Sequence, residues 1–397
     1  MVNEAEGRQG RQVERIGSWK EDLGALHARI APRFKRKEVG ARAGRYLCGL
    51  LKPVERRNGW QLAEAIGEER PDGVQRLLNG ARWDAGEVRD DLRAYVVERF
   101  GDPGAVLVID ETGFLKKGSK SVGVKRQYSG TAGKVENCQV GVFLAYAAPG
   151  GGRAFIDRAL YLPEEEWAGD KERREEAGVP KEVSFATKGE LARKMLERAL
   201  EAEVPASWVT ADEVYGQSGK LRRWLEGRGV SYVMAVSRSH SLQSIQQGCR
   251  RAEEAVSEAP EEAWERVEVG EGSKGPRVYD WARARLPASP ECADGWVQWL
   301  LARRSVGDAE EIAYYRAYSP EDAPLSELAK VAGTRWSIEE CFERAKGEVG
   351  LDHYEVRRWE GWHRHITLCL LAHAFLEVTR AAANAADAEE KGGHRRR

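Results

Sequence analysis

Two apolar runs, each stopped by an aspartate, set the tightest limit on how this chain can fold. Val106-Leu-Val-Ile109 ends at Asp110, and Trp208-Val-Thr-Ala211 ends at Asp212. Short apolar runs between polar stretches read as strands buried on both faces, and such strands belong to sheets covered by helices. Helical patterns over 188–202 and 219–228 supply that cover, with a further strand over 230–236. Two more strands, over 139–146 and 154–161, are joined by the turn-forming Pro149-Gly-Gly-Gly152. Three strands followed by helix-strand-helix-strand predict an α/β core with a mixed sheet.

The flanking sequence has a different texture. Arg33-Phe-Lys-Arg-Lys37 opens a cation-rich stretch that reaches Arg57, with Glu38 and Glu55 as its acids and Tyr46, Leu47, Leu50 and Leu51 as an apolar face. Such a helix can be solvated surface, a membrane-surface helix or a phosphate-binding element. Two short amphipathic segments, Trp60–Ile66 and Pro71–Leu78, follow around Gly67 and have the pattern of a helix-turn-helix. The second carries Gln75 and Arg76. A helix over 87–100 and the turn cluster Gly101-Asp-Pro-Gly104 close this part. The expected organisation is an all-α DNA-binding domain over 1–102 and a first core segment over 103–237. A β-rich insertion over 238–320, core helices over 321–386 and a disordered tail over 387–397 complete it.

A net charge of −1 over 397 residues gives no global sign of nucleic-acid binding, so any DNA contact has to come from local basic patches. The six cysteines are scattered without Cys-x-x-Cys spacing, which supports neither a zinc ribbon nor a redox motif and suits a reduced cytosolic setting. The first residues lack a signal-peptide pattern, and no apolar run is long enough to suggest a membrane span.

Late in the chain, Arg335 to Lys346 reads as a helix on which Arg335, Glu339, Phe342 and Lys346 share one face. Alone, that stripe is equally a solvated charge ladder, and an aspartate after a strand is equally a turn-former. Together, the three carboxylates suit Mg²⁺, which takes oxygen ligands, and two such ions about 4 Å apart can drive phosphodiester cleavage.

This joint pattern resembles the DDE transposases of bacterial insertion sequences. Val-Leu-Val-Ile-Asp110-Glu-Thr-Gly-Phe and Val-Thr-Ala-Asp212-Glu-Val-Tyr-Gly resemble their first two aspartate blocks. One branch carries Tyr, two residues, Arg, three residues, Glu, six residues, Lys on a late helix. Arg335, Glu339 and Lys346 match it, while Ala332 stands at the Tyr position. Val122-Gly-Val-Lys-Arg-Gln-Tyr-Ser-Gly-Thr-Ala-Gly-Lys134 and Gly361-Trp-His-Arg-His-Ile-Thr-Leu368 resemble blocks of insertion-sequence family seven hundred and one.

The resemblance covers roughly 105–376 and implies a ribonuclease-H-like core interrupted by a β-rich insertion. It implies that Asp110, Asp212 and Glu339 are catalytic and hold two Mg²⁺ ions, with Mn²⁺ able to substitute, and that Arg335 and Lys346 grip DNA phosphates. The implied reaction is cleavage at transposon ends and joining of the freed 3′-hydroxyl to target DNA, on double-stranded DNA, by a homodimer on synapsed ends in the cytoplasm, away from any membrane.

From the residues themselves, Lys125, Arg126 and Lys134 form a basic loop suited to DNA. Its glycines do not fit a phosphate-binding P-loop, which would need Gly at Tyr128 and Ser or Thr at Val135. Arg33, Lys35, Arg36, Lys37, Gln75 and Arg76 are the N-terminal DNA-binding candidates. Glu111 and Glu213, each following one of the aspartates, are candidates to support the ligands from behind, and Glu340 and Glu343 compete with Glu339. His363 and His365 lack partners at zinc spacing. Trp281, Trp296 and Trp299 read as sheet core, although related transposases stack an insertion-domain tryptophan on a flipped base. The other reading is an inactive, transposase-derived DNA-binding protein.

Overall fold

The structure is a computed structural model and describes residues 18–244, 248–272, 275–287 and 292–394. The chain opens with helices α1 (18–30), α2 (Lys37–Leu50), α3 (Gly59–Ala65), α4 (Asp72–Asn79) and α5 (Ala85–Phe100). Then follow β1 (Val106–Leu115), β2 (Lys125–Ser129), β3 (Lys134–Ala147), β4 (Arg153–Leu160), α6 (Lys171–Glu176) and α7 (Lys188–Glu201). Next are β5 (Trp208–Ala211), α8 (Glu213–Gly216), α9 (Gly219–Glu226) and β6 (Ser231–Val236). The segment read as an insertion holds β7 (Ser241–Ser244), β8 (Gly248–Arg251), α10 (Ala252–Ser257), β9 (Glu265–Gly272), β10 (Gly275–Arg285), β11 (Trp296–Ser305) and β12 (Ile312–Pro320). Helices α11 (Leu325–Thr334), α12 (Trp336–Val349) and α13 (Trp359–His394) come last.

One mixed sheet runs β2-β3-β1-β5-β6-β12-β11-β10-β9, with β4 also paired to β3. Strands β1, β5 and β6 are mutually parallel, and β3 and β12 flank them antiparallel. All four residues of β5 are buried, as a strand covered on both faces requires. The insertion strands β9 to β12 lengthen this sheet, β12 joining β6 with Ala317 opposite Val233. Strands β2 and β9 have no apolar run of their own to announce them. Lys125, Arg126, Glu265 and Arg266 sit in strands that only their neighbours make.

The N-terminal helices do not stand apart. Helices α2, α4 and α5 pack on α13, which also lies across β4, and a single apolar core runs from Leu26 to Phe375. Buried polar groups stitch the seam. The Tyr46 hydroxyl meets His365 Nδ1 at 2.8 Å, and Arg364 donates to the carbonyls of Leu78 at 3.2 Å and Trp83 at 2.8 Å. Arg158 on β4 donates to Thr367 Oγ1 at 2.8 Å and to the Ala85 carbonyl at 2.9 Å. Burial pushes His363 and His365 down to about 3; His365 is a core group, and His363 is half-buried.

Two expectations about the C-terminal part change. Residues 359–388 are long and apolar enough to cross a membrane by length and composition, contrary to the expectation from sequence. Yet 61% of their most apolar window is buried inside the protein. The helix is apolar because it is enclosed by α2, α4, α5 and β4. The tail placed at 387–397 continues as helix through His394, and 395–397 lie outside the described residues.

Helix α12 is seated by its apolar face. Ile338, Cys341, Phe342 and Ala345 are buried, and the Phe342 ring lies 5.2 Å from Phe143 and 4.9 Å from Phe155. Phe342→Ala removes the ring that fixes α12 on the sheet. Urea unfolding should show a loss of about 3–5 kcal/mol.

Candidate active site

Strands β1 and β5 pair in parallel up to Ile109 opposite Ala211, so the next residue of each, Asp110 and Asp212, emerges at the same level of the sheet. Asp110 does not end its strand, as the sequence suggested. Strand β1 runs on to Leu115 against β3, with Asp110 opposite Phe143, and what ends at Ile109 is the pairing with β5. Asp212 caps α8, its Oδ1 accepting from the backbone N–H of Val214 at 2.9 Å and of Tyr215 at 3.4 Å. Gly216 is forced by close approach, because a Cβ there would lie 1.8 Å from the Ala235 carbonyl oxygen of β6.

The two-residue alternation of β1 sorts its side chains between the faces. Asp110, Thr112 and Phe114 meet Arg335, Lys346 and Trp362 of α12 and α13. Glu111 points the other way. It accepts from the Tyr215 hydroxyl at 2.5 Å and pairs with Lys188 at the start of α7.

Arg335 is the junction of the site. Its guanidinium lies 2.8 Å from Glu339 Oε1 and 3.5 Å from Asp110 Oδ2, so one cation links the carboxylates of α12 and β1. Lys346, two turns beyond Glu339, donates to Thr112 Oγ1 at 2.7 Å and Thr131 Oγ1 at 3.0 Å. The Arg335–Glu339–Lys346 stripe therefore lies along β1. Burial, then the neighbouring Asp212, pushes Asp110 up to about 7. Burial, then Glu111, pushes Asp212 up to about 6. Carboxylates held together against their own repulsion form a site that calls for a cation.

The donor set is all oxygen, which fits a hard divalent ion. Among the described residues no three His, Cys, Asp or Glu side chains close around one point, and Glu339 is paired with Arg335. Glu340 pairs with Arg153 at 2.7 Å, Glu343 is exposed, and Glu213 receives a hydrogen bond from Gln217 at 2.6 Å.

The other candidates lie away from the carboxylates, except at the β2–β3 turn. There Thr131 meets Lys346. Lys125 is paired with Glu166 at 2.7 Å and Lys134 with Glu136 at 3.0 Å, while Arg126 is exposed. Arg33 is clamped by Asp91 of α5, with Nε–Oδ2 and Nη2–Oδ1 both at 2.7 Å, which makes it a structural tie in this arrangement. Lys35, Arg36 and Lys37 are exposed, as are Gln75 and Arg76 on α4. Lys35, Arg36, Arg42, Arg76 and Arg82 line a cavity of about 370 Å³ between α2 and α4 that has no acidic residue in its wall.

Trp281 and Trp299 are buried in the sheet, and Trp296 stacks on Tyr318 with ring centroids 4.8 Å apart. The tryptophan exposed beside the carboxylates is Trp336, 44% exposed, with the Arg335 guanidinium 5.4 Å from its ring. Helical periodicity alone makes it one more apolar residue of α12, and its adjacency to Arg335 is the signal that sets it apart. Tyr215, Lys188 and Thr131 give no signal in sequence, because the partners that define them lie on other elements.

A family model described as DDE superfamily endonuclease matches residues 29–277, and one described as transposase DDE domain matches residues 180–375. A protein of Microchaete diplosiphon, described as a probable transposase for insertion sequence element IS701, is 28% identical over 204 residues. That match covers 50% of this chain and 49% of the relative, so the chain spans about half the length of the relative it matches. The second model ends within α13 and takes in both Asp212 and the Arg335–Lys346 stripe. Since the first model alone takes in over half of the chain, the chain belongs to the DDE superfamily of endonucleases.

Proposed function

We propose that this chain is a DNA transposase that cuts at transposon ends and joins the freed 3′-hydroxyl to target DNA. The observation that carries the reading is the β1–β5 register, which ends at Ile109 opposite Ala211 and so sets Asp110 beside Asp212, with Glu339 tied to Asp110 through Arg335. Asp110, Asp212 and Glu339 would hold two Mg²⁺ ions, or Mn²⁺ in their place. When bound, such ions lower the pKa of an attacking water and neutralise the leaving oxygen.

The chain's own groups do the rest. Arg335 offers a planar fork suited to a phosphate, and Lys346, fixed by Thr112 and Thr131, offers a point charge one stripe further on. Tyr215 and Lys188 hold Glu111 on the opposite face, where its charge acts on Asp212. The substrate is double-stranded DNA, first the inverted repeats of the element and then the target. A homodimer on two synapsed ends is the assembly this reaction needs, and the cytoplasm is where it meets DNA.

The α2–α4 cavity supports a second DNA contact. Its cations include Lys35, Arg36, Arg76 and Arg82, for which no carboxylate lies within ion-pair distance among the described residues, and a phosphate backbone is the complementary partner. Lys37 and Gln75 flank it. Arg126, with Lys125 and Lys134, places further positive charge on the β2–β3 hairpin.

Three outcomes test this reading. Asp110→Ala, Asp212→Ala and Glu339→Ala should each lower Mg²⁺-dependent cleavage of a duplex carrying the flanking DNA by about a hundredfold or more, while end binding persists. Wild-type cleavage by Glu339→Ala would falsify the assignment. Neutralising Lys35, Arg36, Arg76 and Arg82 should flatten the salt dependence of DNA binding, by about 0.9 in slope for each phosphate the protein no longer neutralises. Arg33→Ala should instead lower thermal stability and leave that slope unchanged.

The third outcome concerns pH. Both aspartates have folded pKa values, about 7 and about 6, above the ordinary value of 3.8. The folded state therefore holds these protons more tightly than the unfolded state. In chelator, stability should fall as pH rises from about 4 to about 7 and stay reduced above it. Asp110→Asn should stabilise the protein at pH 8 by on the order of a few kcal/mol, and the gain should vanish near pH 4 in thermal melts.

A further inference from the structure

We propose that Arg335 is a latch on the carboxylates, released by DNA phosphate, so that metal binding and DNA binding are coupled. This rests on the reading of Asp110, Asp212 and Glu339 as metal ligands and adds how their loading is controlled.

The atoms that Arg335 touches, Asp110 Oδ2 at 3.5 Å and Glu339 Oε1 at 2.8 Å, are ligand oxygens a divalent ion would take. A guanidinium against these oxygens competes with a divalent ion for them, through space and through like charge. While Arg335 is engaged, Glu339 is held by its own helix neighbour one turn away, and the three carboxylates do not close around a point.

Arg335 is also placed to leave. It is the first residue before α12, with a side chain 22% exposed, and its guanidinium lies 5.4 Å from the exposed Trp336 ring. Lys346, by contrast, is pinned to two threonine hydroxyls and stays where it is. A phosphate oxygen pair near the mouth of the site offers Arg335 a stronger, bidentate partner than the single contacts it has here. Once Arg335 turns to that phosphate, Glu339 and Asp110 are freed for the ion. Linkage then runs both ways, with phosphate raising metal affinity and metal raising DNA affinity by the same factor. A free protein would carry little metal and cut little DNA.

The test measures Mn²⁺ affinity by electron paramagnetic resonance, without turnover. The proteins are wild type, Arg335→Gln, Arg335→Lys and Asp110→Asn, each checked for folding by circular dichroism. Each is titrated with Mn²⁺ alone and then with a duplex of flanking DNA whose bridging oxygens are replaced to block cleavage. Without DNA, Arg335→Gln should bind Mn²⁺ about tenfold tighter than wild type, with Arg335→Lys between them. Adding the duplex should tighten Mn²⁺ binding in wild type and do little in Arg335→Gln. Equal or weaker Mn²⁺ binding by folded Arg335→Gln overturns the latch while leaving the metal site intact. Mn²⁺ binding that Asp110→Asn does not reduce overturns the metal site itself, and the latch with it.

Discussion

Everything in the site depends on one parallel pairing. Strands β1 and β5 stay in register for four residues and then part, and the two residues at the parting are aspartates. Had β5 slipped by one residue, Asp212 would face the opposite side of the sheet and the carboxylates would no longer meet. The register is held from outside: β3 pairs along the whole of β1, β6 pairs along the whole of β5, and α8 is pressed so tightly on β6 that only glycine fits at 216. The electrostatic strain of two half-buried aspartates is borne by that hydrogen-bonded frame.

The charges of α12 and its apolar packing depend on each other. A helix that presents a basic and acidic stripe to a sheet has no reason to stay there unless its other positions are apolar. Ile338, Cys341, Phe342 and Ala345 meet that need, and Phe342 does so from within the stripe itself, between Glu339 and Lys346. The arrangement sets Arg335 and Lys346 apart in kind as well as in position. One sits at a helix start, and the other is half-buried and held by two hydroxyls.

Much of this is legible in the sequence because it is local. The apolar runs before Asp110 and Asp212 announce buried strands, and the spacing of Arg335, Glu339 and Lys346 announces a shared face. What is not legible is what depends on a distant partner. Strands β2 and β9 are polar and exist because β3 and β10 are beside them. Arg33 looks like a free cation in a basic run, but Asp91, on α5, claims it. The span-length apolarity of α13 emerges only once the helix is seen whole, and its enclosure by α2, α4, α5 and β4 explains it. Trp336 is hidden for a different reason, because a helix periodicity argument treats every tryptophan as core.

The seam along α13 has a consequence for geometry at a larger scale. Tyr46 with His365, and Arg364 with the carbonyls of Leu78 and Trp83, fasten the α2–α4 cavity to the same helix that packs against β4 and α12. The cationic cavity and the carboxylates thus share one continuous packed core. On the proposed reading, a duplex held at the cavity would meet the carboxylates at an offset set by packed protein rather than by a linker.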